Sequence, residues 1–123
     1  MVRSRTAARI AQLAFWIAAL VVLVLAVKPP STLPPLIPWD KAAHFLAFYV
    51  LTVLAAAAFP RRTLLLLAVA LSAYGALIEL IQAHPAIGRD SDIWDWVADT
   101  AAIAAALLPL LISRWRDRIG MNQ

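Results

Sequence analysis

The chain has 123 residues, 63% of them hydrophobic and only 15% charged, with a mean hydropathy of +0.80. That balance excludes an ordinary water-soluble domain and points to a membrane protein. A net charge of +4 does not indicate nucleic-acid binding, because the basic residues lie at the chain ends and in one short loop, and the lack of cysteine excludes disulfides and thiolate metal sites.

Residues 7–27 form an apolar run after Arg3, Arg5 and Arg9. The run matches the roughly 20 residues needed to cross hydrocarbon at ~1.5 Å per residue, which predicts a first transmembrane helix. A cleaved signal peptide fits less well, since its apolar core is about 7–15 residues long and ends at a small-residue cleavage site. This run is longer, contains Trp16 and lacks such a site.

Residues 28–38 hold five of the eight prolines and read as an extended connector, because proline has no amide to donate and clashes with the preceding turn. A second span covers 40–59, with Asp40 placed as N-cap or first-turn acid against the positive end of the helix dipole. Pro60, Arg61 and Arg62 make a tight turn. The third span, 63–83, is apolar until Tyr74, Glu79 and Gln82. A loop with Pro85 and Gly88 leads to the fourth span, 92–112, which ends before Arg114, Arg116 and Arg118.

Spans this apolar must satisfy their backbone groups internally, so they are helices. The expected fold is all-α: one domain over 1–123, a four-helix transmembrane bundle running up-down-up-down. Arg3, Arg5, Arg9, Arg61, Arg62, Arg114, Arg116 and Arg118 fall at one end, against Lys28, Lys41 and Arg89 at the other. Cytoplasmic loops carry the basic excess, which puts both termini in the cytoplasm. Trp39, Trp94 and Trp96 then belong to the outer interface and Trp115 to the inner one.

Asp40, Glu79, Asp90, Asp92, Asp95 and Asp99 all belong to the outer half, leaving only Asp117 inside. At about 100° per residue, Asp40 and His44 share a helix face, as do Glu79 and Gln82, and Asp92, Asp95 and Asp99 form one stripe. An ionisable group at that depth costs several kcal/mol unless it meets a partner or water, so a convergence of three such stripes is a candidate functional cluster. His44, Glu79, Asp95 and Asp99 are the candidates for acid-base or ligand chemistry. Asp40, Lys41, His44, Glu79, Gln82, Arg89, Asp92 and Asp95 make up the expected binding site. Plainer roles compete: Asp40 as a cap, Lys41 snorkelling to head groups, His44 as polar glue to Glu79 or Asp95, and Arg89, Asp90 and Asp92 as loop charges. His84, beside Pro85, reads as a solvated loop residue. No glycine-rich phosphate loop, serine-histidine pair or His-Glu-x-x-His pattern is present, so no cofactor and no metal-ligand set is assigned. Imidazole with carboxylates is nonetheless a chemistry suited to zinc or manganese.

Asp40-Lys41-x-x-His44-Phe45 with Phe48, Glu79-x-x-Gln82 after Tyr74-Gly75, and Arg89 followed by Asp92 and Asp95 occur in that order on the second, third and fourth spans. Over about residues 39–106 the chain thereby resembles the VanZ-like family of small bacterial membrane proteins, named for a teicoplanin-resistance protein. The family pattern continues to an asparagine four residues after its aspartate and then to glycines. Here Asp99 stands at the asparagine place, and Ala102 and Ala106 at the glycine places.

The resemblance implies a cell-envelope protein of the bacterial cytoplasmic (inner) membrane, associated in one member with lower susceptibility to a lipoglycopeptide. The expected function is an extracytoplasmic polar pocket that binds a lipid-linked or cell-wall component and influences glycopeptide tolerance. Its expected partners are membrane lipids and a lipid-linked cell-wall precursor or lipoglycopeptide. A membrane-embedded enzyme acting on a lipid-phosphate or cell-wall precursor, and a proton- or ion-coupled carrier, are the alternatives.

Overall fold

The computed structural model describes residues 4–28 and 40–120. Among these residues the chain is all-helical, with α1 (Arg5–Val27), α2 (Asp40–Ala58), α3 (Leu64–Gln82) and α4 (Ile93–Arg118). Each is long and apolar enough to cross a membrane, as expected of a multi-pass membrane protein. Arg3, Trp39 and all but Lys28 of the expected connector lie outside the described residues.

Capping side chains set the helix starts. Ser4 Oγ accepts from the Ala7 amide at 3.1 Å and starts α1 at Arg5, ahead of the expected 7. Thr63 Oγ1 accepts from the Leu66 amide at 3.2 Å, and Asp92 Oδ1 from the Trp94 amide at 3.0 Å, so these two residues cap α3 and α4 from outside the helices. The far end of α4 corrects the sequence expectation more strongly. The helix continues through Pro109 to Arg118, six residues past 112. Arg116 and Arg118 in its last turn suit the negative end of the dipole, so the arginines extend the helix that they were expected to follow.

Helix directions alternate, as the short turns require. The N-terminal ends of α2 and α4 lie together with the C-terminal ends of α1 and α3, as the Lys41–Asp92, Gln82–Ala26 and Ser91–Glu79 contacts show. Order around the bundle is not sequential. α2 packs most extensively on α4, then on α1, while α3 packs chiefly on α4. Two parallel helices, α2 and α4, are therefore neighbours. Buried Ala55 and Ala58 on α2 and Ala102 and Ala106 on α4 keep backbones close, which matters in lipid because apolar side chains gain little by leaving it. Phe48, Leu51, Ile78 and Ile103 fill the centre.

Polar bonds fasten α1 to its neighbours. Gln12 Nε2 donates to the Ala58 carbonyl at 3.2 Å, Tyr74 Oη to Ala19 at 2.6 Å and Gln82 Nε2 to Ala26 at 3.0 Å. On the other side Ser72 and Thr100 hydroxyls meet at 3.0 Å. Trp96 Nε1 donates to the Ser72 carbonyl at 3.0 Å, so this ring is engaged with α3, in contrast to the exposed Trp94 and Trp115. Ile10, Leu13, Ile17, Leu20 and Leu80 present an apolar exterior of the kind that hydrocarbon covers.

Candidate functional site

Asp40 opens α2, so Lys41 follows in the first turn and His44 lies one turn on, on the same face. Asp92 caps α4, and Asp95 and Asp99 occupy successive turns. Because α2 and α4 run parallel and touch, these two polar stripes meet side by side. Lys41 Nζ lies 2.9 Å from Asp92 Oδ2 and 3.4 Å from Asp95 Oδ1. His44 Nδ1 lies 2.9 Å from Asp99 Oδ1, and its Nε2 faces Asp95 Oδ2 at 3.7 Å and Asp40 Oδ2 at 4.0 Å. Asp99 is wholly buried and the Asp95 side chain is 3% exposed, whereas Asp40 is open at the bundle end.

Room for Asp99 comes from Gly75. A Cβ there would meet Asp99 Oδ2 at 2.8 Å and Phe48 Cε1 at 3.4 Å. Sequence reasoning noted Gly75 only as a neighbour of Tyr74. The available signal was a glycine inside an apolar helix, which costs about 1 kcal/mol against alanine and so marks close approach.

The other expected site residues have more divided tasks. Glu79 Oε2 accepts from Ser91 Oγ and from the Asp92 amide, both at 3.2 Å, and so holds the entry to α4. Ser91 was not singled out in the sequence. Among the described residues Glu79 makes no hydrogen bond to His44 or Asp99. Gln82 gives its amide hydrogen to Ala26 of α1. Buried Glu79 Oε1, Gln82 Oε1 and Asp99 Oδ2 have no hydrogen-bond partner among the described residues. Arg89 Nη1 lies 3.4 Å from the Lys28 carbonyl. His84 is exposed, with Nδ1 accepting from the Ala86 amide at 3.1 Å, and stays in the loop.

No family profile, curated protein or solved structure matches the chain.

Besides a polar hollow of about 260 Å³ bordered by Asp40, Gln82, Arg89 and Asp90, two hollows adjoin the cluster. One of about 160 Å³ is bordered by Asp40, His44, Gln82 and Arg89 over an apolar floor that includes Phe48 and Ile78. The other, about 390 Å³ and almost entirely apolar, lies between α2 and α4 and is lined by Lys41, Ala42, Phe45, Trp94, Val97 and Ala101. At the end of the bundle the Lys41 ammonium, helped by the Trp94 amide, holds the Asp92 carboxyl below the usual carboxylate range. Deeper in, a buried carboxylate on Nδ1 fixes the ring of His44 and directs Nε2 at two further carboxyl groups. That arrangement suits proton transfer or cation binding.

Proposed function

We propose that the chain is a small bacterial envelope protein of VanZ-like type, with both termini cytoplasmic, whose α2–α4 site binds a lipid-linked envelope component from the extracytoplasmic side and influences glycopeptide tolerance. One observation carries this reading: Lys41 belongs both to the polar cluster and to the lining of the 390 Å³ apolar groove. A ligand with an alkyl or isoprenoid tail and an anionic head has a place for each part there, the tail against Phe45, Val97 and Ala101 and the head by Lys41. The excess of arginine at the opposite end of the bundle supports the orientation, and the order of the motifs on α2, α3 and α4 supports the family.

The test is binding of a polyprenyl phosphate to protein in nanodiscs, with the uncharged polyprenol as comparison. The phosphate should bind more tightly, and Lys41→Gln should remove most of the difference. Equal binding of both lipids by the unaltered protein overturns the reading. Expression in a susceptible bacterium should lower teicoplanin sensitivity in a Lys41-dependent manner.

A membrane-embedded enzyme acting on the same class of lipid is favoured by one feature, the 2.9 Å contact between His44 and buried Asp99, which is the geometry of an oriented general base. Turnover of a polyprenyl phosphate or diphosphate that disappears in His44→Gln supports it. Full turnover in that variant rejects it.

A further inference from the structure

We infer that Asp40, His44 and Asp95 form a binding site for one divalent transition-metal ion, with Asp99 positioning the histidine. The inference goes beyond the lipid-binding proposal and does not depend on it, since the ligands are side chains of this chain alone.

The geometry starts from His44. Its Nδ1 is engaged by Asp99 Oδ1 at 2.9 Å, which leaves Nε2 as the free ring nitrogen. Metal-bound histidines characteristically hold their second nitrogen to a carboxylate in this way, which fixes the tautomer and the ring plane. Around Nε2 stand Asp95 Oδ2 at 3.7 Å and Asp40 Oδ2 at 4.0 Å, and the ligand atoms of the three residues all lie within 4.8 Å of one another. Bonds of about 2.1 Å at tetrahedral angles put ligand atoms roughly 3.4 Å apart, so an ion draws the triangle together, least on the 3.7 Å side between His44 and Asp95 and most on the longer sides to Asp40. Asp95 is prepared for this, because Lys41 takes its Oδ1 and leaves Oδ2 directed at His44.

The adjoining cavity supplies an independent indication. Asp40 and His44 border the 160 Å³ hollow together with Gln82. Gln82 is 4% exposed, and its buried Oε1 has no donor among the described residues. A water in the fourth coordination position has a place in this hollow, the three-ligand-plus-water pattern of open metal sites. Asp40, Glu79, Asp92, Asp95 and Asp99 outnumber Lys41 and Arg89 in this part of the bundle, an excess that a divalent ion would offset. One imidazole with two carboxylates favours zinc, manganese or iron over calcium and magnesium, which take oxygen ligands.

The test is titration of the chelator-treated, detergent-purified protein with Mn²⁺, read by electron paramagnetic resonance, with Zn²⁺ as competitor. One saturable site per chain is expected, with a nitrogen coupling from the imidazole and displacement by Zn²⁺. His44→Gln should abolish the nitrogen coupling and weaken binding at least 100-fold. Asp99→Asn, which leaves the three ligands in place, should weaken it about 10- to 100-fold. Asp40→Asn is a nearly isosteric change at an exposed position, so it tests the ligand set even if the buried variants fail to fold. Asp117→Asn, at the opposite end of the bundle, serves as the control and should bind as the unaltered protein does. Absence of saturable binding in the unaltered protein, or unchanged binding in Asp40→Asn, overturns the inference. Neither result bears on polyprenyl phosphate binding, which is measured without metal.

Discussion

His44 Nδ1 lies 2.9 Å from Oδ1 of Asp99, a carboxylate with no solvent exposure two turns into α4. This contact joins two parallel helices below the open end of the bundle and orients the imidazole toward Asp95 and Asp40. An unpaired carboxylate at that place is strongly disfavoured, so the pair also stabilises the α2–α4 interface.

Gly75→Ala should disturb that pair. The added Cβ falls 2.8 Å from Asp99 Oδ2, and Asp99 cannot swing away without giving up His44. Overpacking of this kind typically costs about 1–3 kcal/mol. Unfolding in mixed micelles should show the loss, and nuclear magnetic resonance of the His44 ring should report its altered hydrogen bond. Wild-type stability together with an unchanged ring signal would show that the interface has slack.

Tyr74→Phe and Gln12→Leu each remove one side-chain bond that fastens α1. Interhelical hydrogen bonds in membranes average about 0.6 kcal/mol, so each change should be mild and the two together roughly additive, the sites being far apart. Protease or alkylation accessibility along α1 should rise. The Lys41, His44, Asp95 and Asp99 contacts lie on the α2–α4 side and should survive.

Acid should loosen the rim of the site late. The Asp92 carboxyl lies below its ordinary range because Lys41 and the Trp94 amide favour its charged form. A depressed folded value means that the contribution is complete above the unfolded value of about 3.9 and is lost as pH falls through the folded value. The α4 cap should therefore persist to below pH ~4. The carboxyl carbon shift of Asp92 tracks this, and Lys41→Gln should move its titration upward. A titration unaffected by that substitution would contradict the assigned cause.

Orientation can be read with single cysteines in a chain that has none. Asp90 and Arg61 are exposed in loops at opposite ends of the bundle. In intact cells an impermeant maleimide should label Asp90→Cys directly, and Arg61→Cys only after permeabilisation. The reverse pattern would invert the proposed sidedness and place the polar cluster in the cytoplasm.

Much of this protein is local and was therefore legible in the residues. Apolar runs of membrane length, separated by proline and arginine turns, determine four helices because hydrocarbon leaves a backbone no other way to satisfy its polar groups. The i, i+4 placements of Asp40 with His44 and of Asp95 with Asp99 determine that each pair shares a face. Helix limits were less legible: α4 passes through Pro109 because helix ends depend on caps and dipole charges as well as on apolarity.

Which faces meet was decided only by the tertiary structure. Short turns require successive helices to alternate but leave their order around the bundle open, and close packing at small residues sets α2 beside α4. That choice brings His44 to Asp95 and Asp99, with Gly75 making room. It leaves Glu79 to hold the α4 entry and gives the amide hydrogen of Gln82 to α1, because a side chain's partners across a bundle are fixed by distance in space, which periodicity along one helix does not contain.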